Sequence, residues 1–247
     1  MAQCAPWVQS PKLFLNALPT GTQKLDMRVT VCRHAQSTAN AGEPSESPGS
    51  TPLTQLGVRQ AQLLAESIGP HDGPDLIVTS PYLRTGETAA PMRERFPYAK
   101  HEEWPIQEFT YLSPEKHHGT TKGGRIARAM AFWDKGDPYF KESGAESLAD
   151  LFGRVDSMVK RLEDRGEARP TDEVMIFGHG LFMRALMWRI LMNSSAIDAD
   201  IMRAFRSFCF AFVVPNTAVL PLRYSIYGEW FLGPLGTAHL PPDMITM

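Results

Sequence analysis

Val31-Cys32-Arg33-His34-Ala35-Gln36-Ser37-Thr38-Ala39-Asn40 follows directly on a short β-branched run that opens at Met27. The run from Met27 to Cys32 reads as a strand. An Arg-His pair at a strand's end is a poor core element and a good phosphate site. A fixed guanidinium can hold the phosphate while the imidazole attacks it.

Outward from this stretch, the chain alternates between strand and helix. Ala41 to Pro52 is a loop rich in Pro, Gly, Ser and Glu. Thr54 caps a helix that runs to about Ile68. Asp75 to Thr79 is a short apolar strand. A helix follows near Thr85, and Pro91 must sit early in it or bend it. Residues 97–145 are dense in Pro and Gly and read as a lid or substrate-binding insertion.

Glu146 to Arg165 is the clearest helix, with Leu148, Leu151, Phe152, Val155, Met158, Val159 and Leu162 at three- and four-residue steps. Gly166 reads as its C-terminal stop. Glu173 to Phe177 is a buried strand and Leu181 to Met192 a helix. Phe208 to Val214 and Ala218 to Arg223 read as late strands. The implied fold is α/β: a three-layer sandwich with a largely parallel central sheet and a loop/helix insertion over the site. Ligands in such sheets sit beyond the carboxyl ends of the strands, where Arg33 and His34 lie.

Three further blocks follow Arg33-His34 in order: Ser80-Pro81-Tyr82-Leu83-Arg84-Thr85, then Glu108 within Gln107-Glu108-Phe109-Thr110-Tyr111, then Gly178-His179-Gly180. Each block alone has a bland reading, such as a helix-starting turn, a solvated carboxylate or an exposed turn imidazole. In this order they resemble the histidine phosphatase superfamily, the group that includes the cofactor-dependent phosphoglycerate mutases. The resemblance runs from about Arg28 to about Leu222. The family's Arg-His-Gly stands here as Arg33-His34-Ala35, and Ala restricts φ more than Gly does. Three segments follow: an irregular N-terminal arm (residues 1–26), a histidine phosphatase-like catalytic domain (27–232) and a C-terminal tail (233–247).

The resemblance implies a role for each residue. His34 is the nucleophile, kept neutral by nearby cations. Arg33 and Arg84 are guanidinium forks for phosphate oxygens. His179 is a second imidazole facing the same phosphate. Glu108 protonates the leaving oxygen and then activates water. Asn40 aligns with a phosphate-binding amide, and Gln36 and Ser37 line the same turn.

The expected activity is metal-independent hydrolysis of a phosphate monoester through a phosphohistidine on His34. The alternatives are phosphoglycerate mutase-like phosphoryl transfer and a non-catalytic phosphate-binding scaffold. Against the mutases' usual pattern, this chain has Ala39 rather than an aromatic residue before Asn40, and Leu181 rather than Asn after Gly180. All four motif residues of a phosphate site are present, which disfavours the scaffold.

Composition bounds the rest. The chain has 247 residues, 43% hydrophobic and 21% charged, with a net charge of -2. These are ordinary values for a globular protein, without the basic excess of a nucleic-acid binder or a membrane-spanning run. Cys4, Cys32 and Cys209 are too sparse for a disulfide framework or a zinc site and fit a reducing cytoplasm. No cofactor or metal is implied. The expected partner is a small-molecule phosphate ester, with no nucleic acid and no membrane, and a homodimer is left open. His117-His118 reads as a solvated loop pair. Lys116, Lys122, Arg125 and Arg128 form a basic stretch in the insertion that is either a solvated face or a contact for an anionic substrate.

Overall fold

The computed structural model describes residues 26–116 and 118–247, so the expected arm lies outside the described residues except for Asp26, as does His117. Strand β1 (Met27–Arg33) alternates its side chains between two cores. Met27, Val29 and Val31 enter one core, and Cys32 enters the other. Strands β2 (Leu76–Thr79) and β4 (Glu173–Gly178) do the same, since Leu76, Val78, Val174 and Ile176 share the first core while Ile77, Met175 and Phe177 share the second. A sheet covered on both faces has no polar side, which is why β2 and β4 carry almost unbroken apolar runs.

The six strands lie in the order β3-β2-β4-β1-β5-β6, with β3 at Lys100–Glu103, β5 at Val219–Tyr224 and β6 at Trp230–Leu232. The pairs β1/β4, β2/β4 and β2/β3 are parallel, and β5 is antiparallel to both its neighbours. Helices α1 (Gln55–Ser67) and α2 (Leu83–Arg95) cover the smaller core through Leu64, Ala65, Ala89 and Met92. Helices α4 (Leu148–Ala168) and α5 (Gly180–Met192) cover the larger one, joined by Phe132 from α3 (Ile126–Asp134) and Phe205 from α6 (Ala199–Ala211). The expected three-layer α/β sandwich is what the chain forms.

Local chemistry sets the helix starts. Gly57 N donates to Thr54 Oγ1 at 3.0 Å, capping α1. Ser147 and Asp150 form a reciprocal capping box at the start of α4. Gly57 also answers a close approach: a Cβ there would stand 2.1 Å from the Gln36 carbonyl oxygen. The first turn of α1 therefore presses directly on the loop that carries Arg33-His34.

Three expectations are corrected, and of the two alternatives left open for Pro91 the early position is not the one it takes. Residues 208–214 do not form a strand, because α6 runs through Ala211. Asp198 Oδ1 caps that helix by accepting from Ile201 N at 2.8 Å. Phe208 and Phe212, four residues apart, stack at 5.5 Å, so the helical spacing of the aromatics outweighs their β preference. Gly166 does not end α4 either. It lies inside the helix, where a Cβ would stand 2.5 Å from the Tyr224 ring, so it is a contact glycine rather than a stop. Pro91 sits well inside α2, leaving the Glu87 carbonyl without its helical donor. Finally, Lys100–Glu103 leaves the insertion to form the sheet edge β3, whose charged side chains suit an exposed edge strand.

The segment 233–247 is bonded back onto the sandwich. Val219 N donates to Gly236 O at 2.8 Å, Gln60 Nε2 to Met244 O at 2.7 Å, and Asn216 N to Thr246 O at 2.8 Å. Among the described residues no helix is long and apolar enough to cross a membrane.

Candidate active site

Three of the four sequence blocks reach one place because β1, β2 and β4 are parallel and adjacent. Arg33 ends β1, Ser80 follows β2, and His179 follows β4. They meet beyond the carboxyl ends of the strands. The insertion closes over them and supplies Glu108, Phe109, Tyr111, Lys122 and Arg125 to a cavity of about 450 Å³.

His34 is 3% exposed. Its Nδ1 lies 2.7 Å from the Ala35 carbonyl oxygen. A carbonyl only accepts, so Nδ1 carries the proton and Nε2 keeps its lone pair. Burial, with the charges of Arg84 and Arg33, holds the imidazole's pKa well below its ordinary value. The ring is therefore neutral and nucleophilic at Nε2. Its backbone is pinned on two sides: His34 N donates to Gly178 O at 2.9 Å, and Asn216 Nδ2 donates to His34 O at 3.0 Å.

His179 is fully buried, its ring centroid 5.2 Å from that of His34. Arg84 Nη2 donates to its Nδ1 at 3.1 Å, and its Nε2 donates to Ser80 Oγ at 2.7 Å. Burial and then Arg84 lower its pKa well below the usual histidine value. His179 does not stand on the cavity wall. It backs Arg84, which does.

Arg84 Nη1 donates to Pro48 O at 2.6 Å and its guanidinium lies 4.9 Å from the centre of the Tyr82 ring. Arg33 Nη1 donates to Val214 O at 2.6 Å, while its Nε is buried without a partner. Desolvation lowers the Arg33 pKa to about 10 against the opposing pull of Glu108, which leaves it charged at neutral pH.

Glu108 is seated on the N-terminus of α5. Its Oε1 accepts from Phe109 N at 2.9 Å, Leu181 N at 3.1 Å and Phe182 N at 3.3 Å. Its Oε2 accepts only a longer bond from Leu181 N, at 3.3 Å. The helix end orients the carboxylate and leaves Oε2 as the oxygen best placed for proton exchange.

The smaller candidates divide. Ser37 Oγ, Ser37 N and Asn216 Nδ2 all donate to Asn40 Oδ1, at 3.0, 3.2 and 3.2 Å, which turns the Asn40 amide so that Nδ2 is the group it offers a ligand. Both Ser37 and Asn40 line the cavity. Gln36 is not among the residues that line it. Its Oε1 accepts from Thr54 Oγ1 at 2.7 Å, so it braces the start of α1. Asn216 and Arg184 escaped the sequence reading. Asn216 sits among short loop residues with no motif of its own. The adjacent Thr217, at φ 53, shows that a β-branched residue is held left-handed there. Among the described residues no cluster of three or more His, Cys, Asp or Glu side chains is arranged to hold a metal ion.

The family model of the histidine phosphatase superfamily, branch 1, matches residues 29–206. Glucosyl-3-phosphoglycerate phosphatase of Mycobacterium tuberculosis is 28% identical over 174 residues, covering 66% of this chain and 75% of that protein. The native structure of the mycobacterial glucosyl-3-phosphoglycerate phosphatase superposes with a TM-score of 0.62 at 23% identity, covering 84% of this chain and 97% of that one. A phosphoserine phosphatase mutant from Entamoeba histolytica superposes with a TM-score of 0.64 at 18% identity, covering 87% of this chain and 100% of that one. At these identities the superpositions establish the fold alone.

Proposed function

The chain belongs to the histidine phosphatase superfamily, and on that premise we propose that it is a phosphohydrolase cleaving a phosphate monoester through a phosphohistidine on His34. The relatives compared above are named as phosphatases. The observation that carries the reading is the Nδ1 bond of His34 to Ala35 O, because it fixes the tautomer with a free lone pair on Nε2.

The reaction runs in two balanced steps. Nε2 attacks phosphorus, the P–N bond forms, and the ester P–O bond breaks. Glu108 Oε2 gives its proton to the departing alkoxide. Water then attacks the phosphohistidine, Glu108 takes a proton from it, the P–N bond breaks, and inorganic phosphate leaves with His34 restored. Arg33, Arg84 and the Asn40 amide surround the equatorial oxygens through the transfer. His179 holds Arg84 in place from behind. These cations supply the positive charge the transition state needs, so the proposed mechanism requires no metal.

Rapid acid or alkali quench with labelled substrate tests this. Wild type should retain an acid-labile, alkali-stable phosphoryl group, and His34→Ala should retain none and lose nearly all turnover. Equal labelling of both proteins would remove His34 as nucleophile. Transfer of the label to an added alcohol in preference to water would favour the mutase reading instead.

A further inference from the structure

Glu108 sits in a stretch, residues 104–113, that is neither helix nor strand. Such a backbone has no repeating hydrogen-bond pattern to fix its place, so an acid carried on it must be held by its surroundings. Here three of its carbonyls are taken up by side chains. Arg154, on α4, donates from Nη1 to Pro105 O at 2.9 Å and to Gln107 O at 3.0 Å. Thr110 Oγ1 donates to Glu108 O at 3.1 Å.

Arg154 is itself aimed. Its Nε donates to Glu146 Oε1 at 2.7 Å and its Nη2 to Glu146 Oε2 at 2.9 Å, a bidentate fork. Four of its five guanidinium N–H groups are thus in use. Glu146 returns to the same stretch. Its Oε2 accepts from Thr110 N at 3.2 Å, and its own N donates to Thr110 O at 2.8 Å. The pair therefore grips the chain on both sides of Glu108, at Gln107 and at Thr110.

The same guanidinium reaches the seat of the Glu108 carboxylate. It lies 5.3 Å from the centre of the Phe182 ring, and Phe182 N is one of the donors to Glu108 Oε1. Arg154 thus ties the loop that brings Glu108 to the helix start that receives it. Tyr82 OH donates to Thr110 Oγ1 at 3.0 Å, which links this clamp to the block that carries Arg84. Neither Arg154 nor Glu146 is among the residues that line the cavity, so they act on the substrate only through what they hold.

We infer that Arg154 and Glu146 are positioning residues for the proton transfer, holding Glu108 Oε2 at the leaving oxygen. The inference rests on the proposed phosphatase reading, with Glu108 as its acid. A shift of about 1 Å at a reacting group can cost on the order of 100-fold in rate, so a clamp outside the cavity can govern the step.

The first measurement needs no turnover. The Leu181 and Phe182 amides donate to Glu108, whereas Met183 N, in the same turn, donates to His179 O at 2.9 Å. In amide hydrogen exchange, Arg154→Ala should speed Leu181 and Phe182 at least about tenfold, towards their rates in Glu108→Ala, and change Met183 less than about threefold. The second measurement is kinetic, with phosphoenzyme formation rate-limiting. Arg154→Ala should slow an alkyl phosphate at least about tenfold more than a nitrophenyl phosphate. Added to Glu108→Gln it should cost less than about threefold more, because both remove one function. Glu146→Ala should show the same split. Arg154→Lys cannot reach Glu146 and both carbonyls at once and should show a smaller one. It is read in the same two ways if Arg154→Ala does not fold. Unchanged exchange at Leu181 and Phe182 would overturn the clamp. So would equal losses on both substrates beside a split in Glu108→Gln, and either result leaves the phosphatase reading intact. Equal losses in Glu108→Gln itself would overturn the inference through its acid, with His34 untouched. Faster exchange at the two amides, with no hydrolysis by wild type, would retain the clamp and overturn the phosphatase reading.

Discussion

Arg84 Nη2 donates to His179 Nδ1 at 3.1 Å, one of two hydrogen bonds that join the second and fourth sequence blocks inside the protein. A guanidinium can only donate, so the ring must accept at Nδ1 and carry its proton at Nε2, where Ser80 Oγ takes it at 2.7 Å. His179 is therefore a neutral support for Arg84 in this geometry.

Removing that support should loosen the Arg84 guanidinium. A hydrogen bond to a charged group contributes about 1.5–3 kcal/mol, so His179→Ala should weaken competitive inhibition by vanadate by roughly 10- to 100-fold. His179→Gln, which keeps an acceptor, should recover part of it. Inhibition constants for the three proteins decide this, and an unchanged constant in His179→Ala would show that Arg84 is held by Pro48 O alone.

His34 and His179 both have pKa values depressed well below the ordinary histidine value. The native state therefore takes up these protons later than the unfolded chain as pH falls. Stability from this source is fully present above the unfolded histidine pKa and is lost as pH drops below it towards the folded values. The slope approaches about 1.4 kcal/mol per pH unit for each histidine. Urea unfolding between neutral pH and about pH 5 should show this decline. The slope should be shallower in His34→Ala and His179→Gln, whatever those variants do to stability at neutral pH.

Glu108 should reveal itself through the leaving group. A nitrophenolate departs without help, whereas an alkoxide needs a proton in the transition state. With phosphoenzyme formation rate-limiting, Glu108→Gln should slow an alkyl phosphate by about 100-fold or more and a nitrophenyl phosphate far less. Pre-steady-state rates on the two substrates provide the comparison. Equal losses would mean that Glu108 positions the start of α5 and does not donate the proton.

Gly57 touches nothing in the cavity, yet its missing Cβ would collide with Gln36 O at 2.1 Å. Gly57→Ala should cost about 1–3 kcal/mol of stability by overpacking. It should also lower kcat/KM by displacing the turn that carries His34. Thermal unfolding and kinetics measured together would show both effects. A loss of stability with unchanged kinetics would mean that α1 moves and the turn does not.

Much of this molecule is written locally. Alternation in β1, the apolar runs of β2 and β4, the Thr54 cap and the apolar stripe of α4 are short-range patterns, and each element forms close to where its pattern lies. Arg33, His34, Arg84, Glu108 and His179 were legible because four short blocks kept their order. Where tertiary packing outweighed local preference, the sequence reading failed. Residues 208–211 are helical because Phe205, Phe208 and Trp188 need one another's rings, at 5.6 and 5.8 Å from the tryptophan. Gly166 is a glycine because Tyr224, from the antiparallel strand β5, presses on it.

The sequence alone determined the fold class and the chemical groups of the site, since strand periodicity and residue type are properties of neighbours along the chain. Only the tertiary structure decided which atoms those groups can use. The Nδ1 proton of His34, the turned amide of Asn40, the retreat of His179 behind Arg84 and the removal of Gln36 to α1 all follow from hydrogen-bond partners. The last three of these partners are distant in sequence or fixed only once the turn is folded. A side chain's partner across the fold exists only after the insertion and the strand ends have come together.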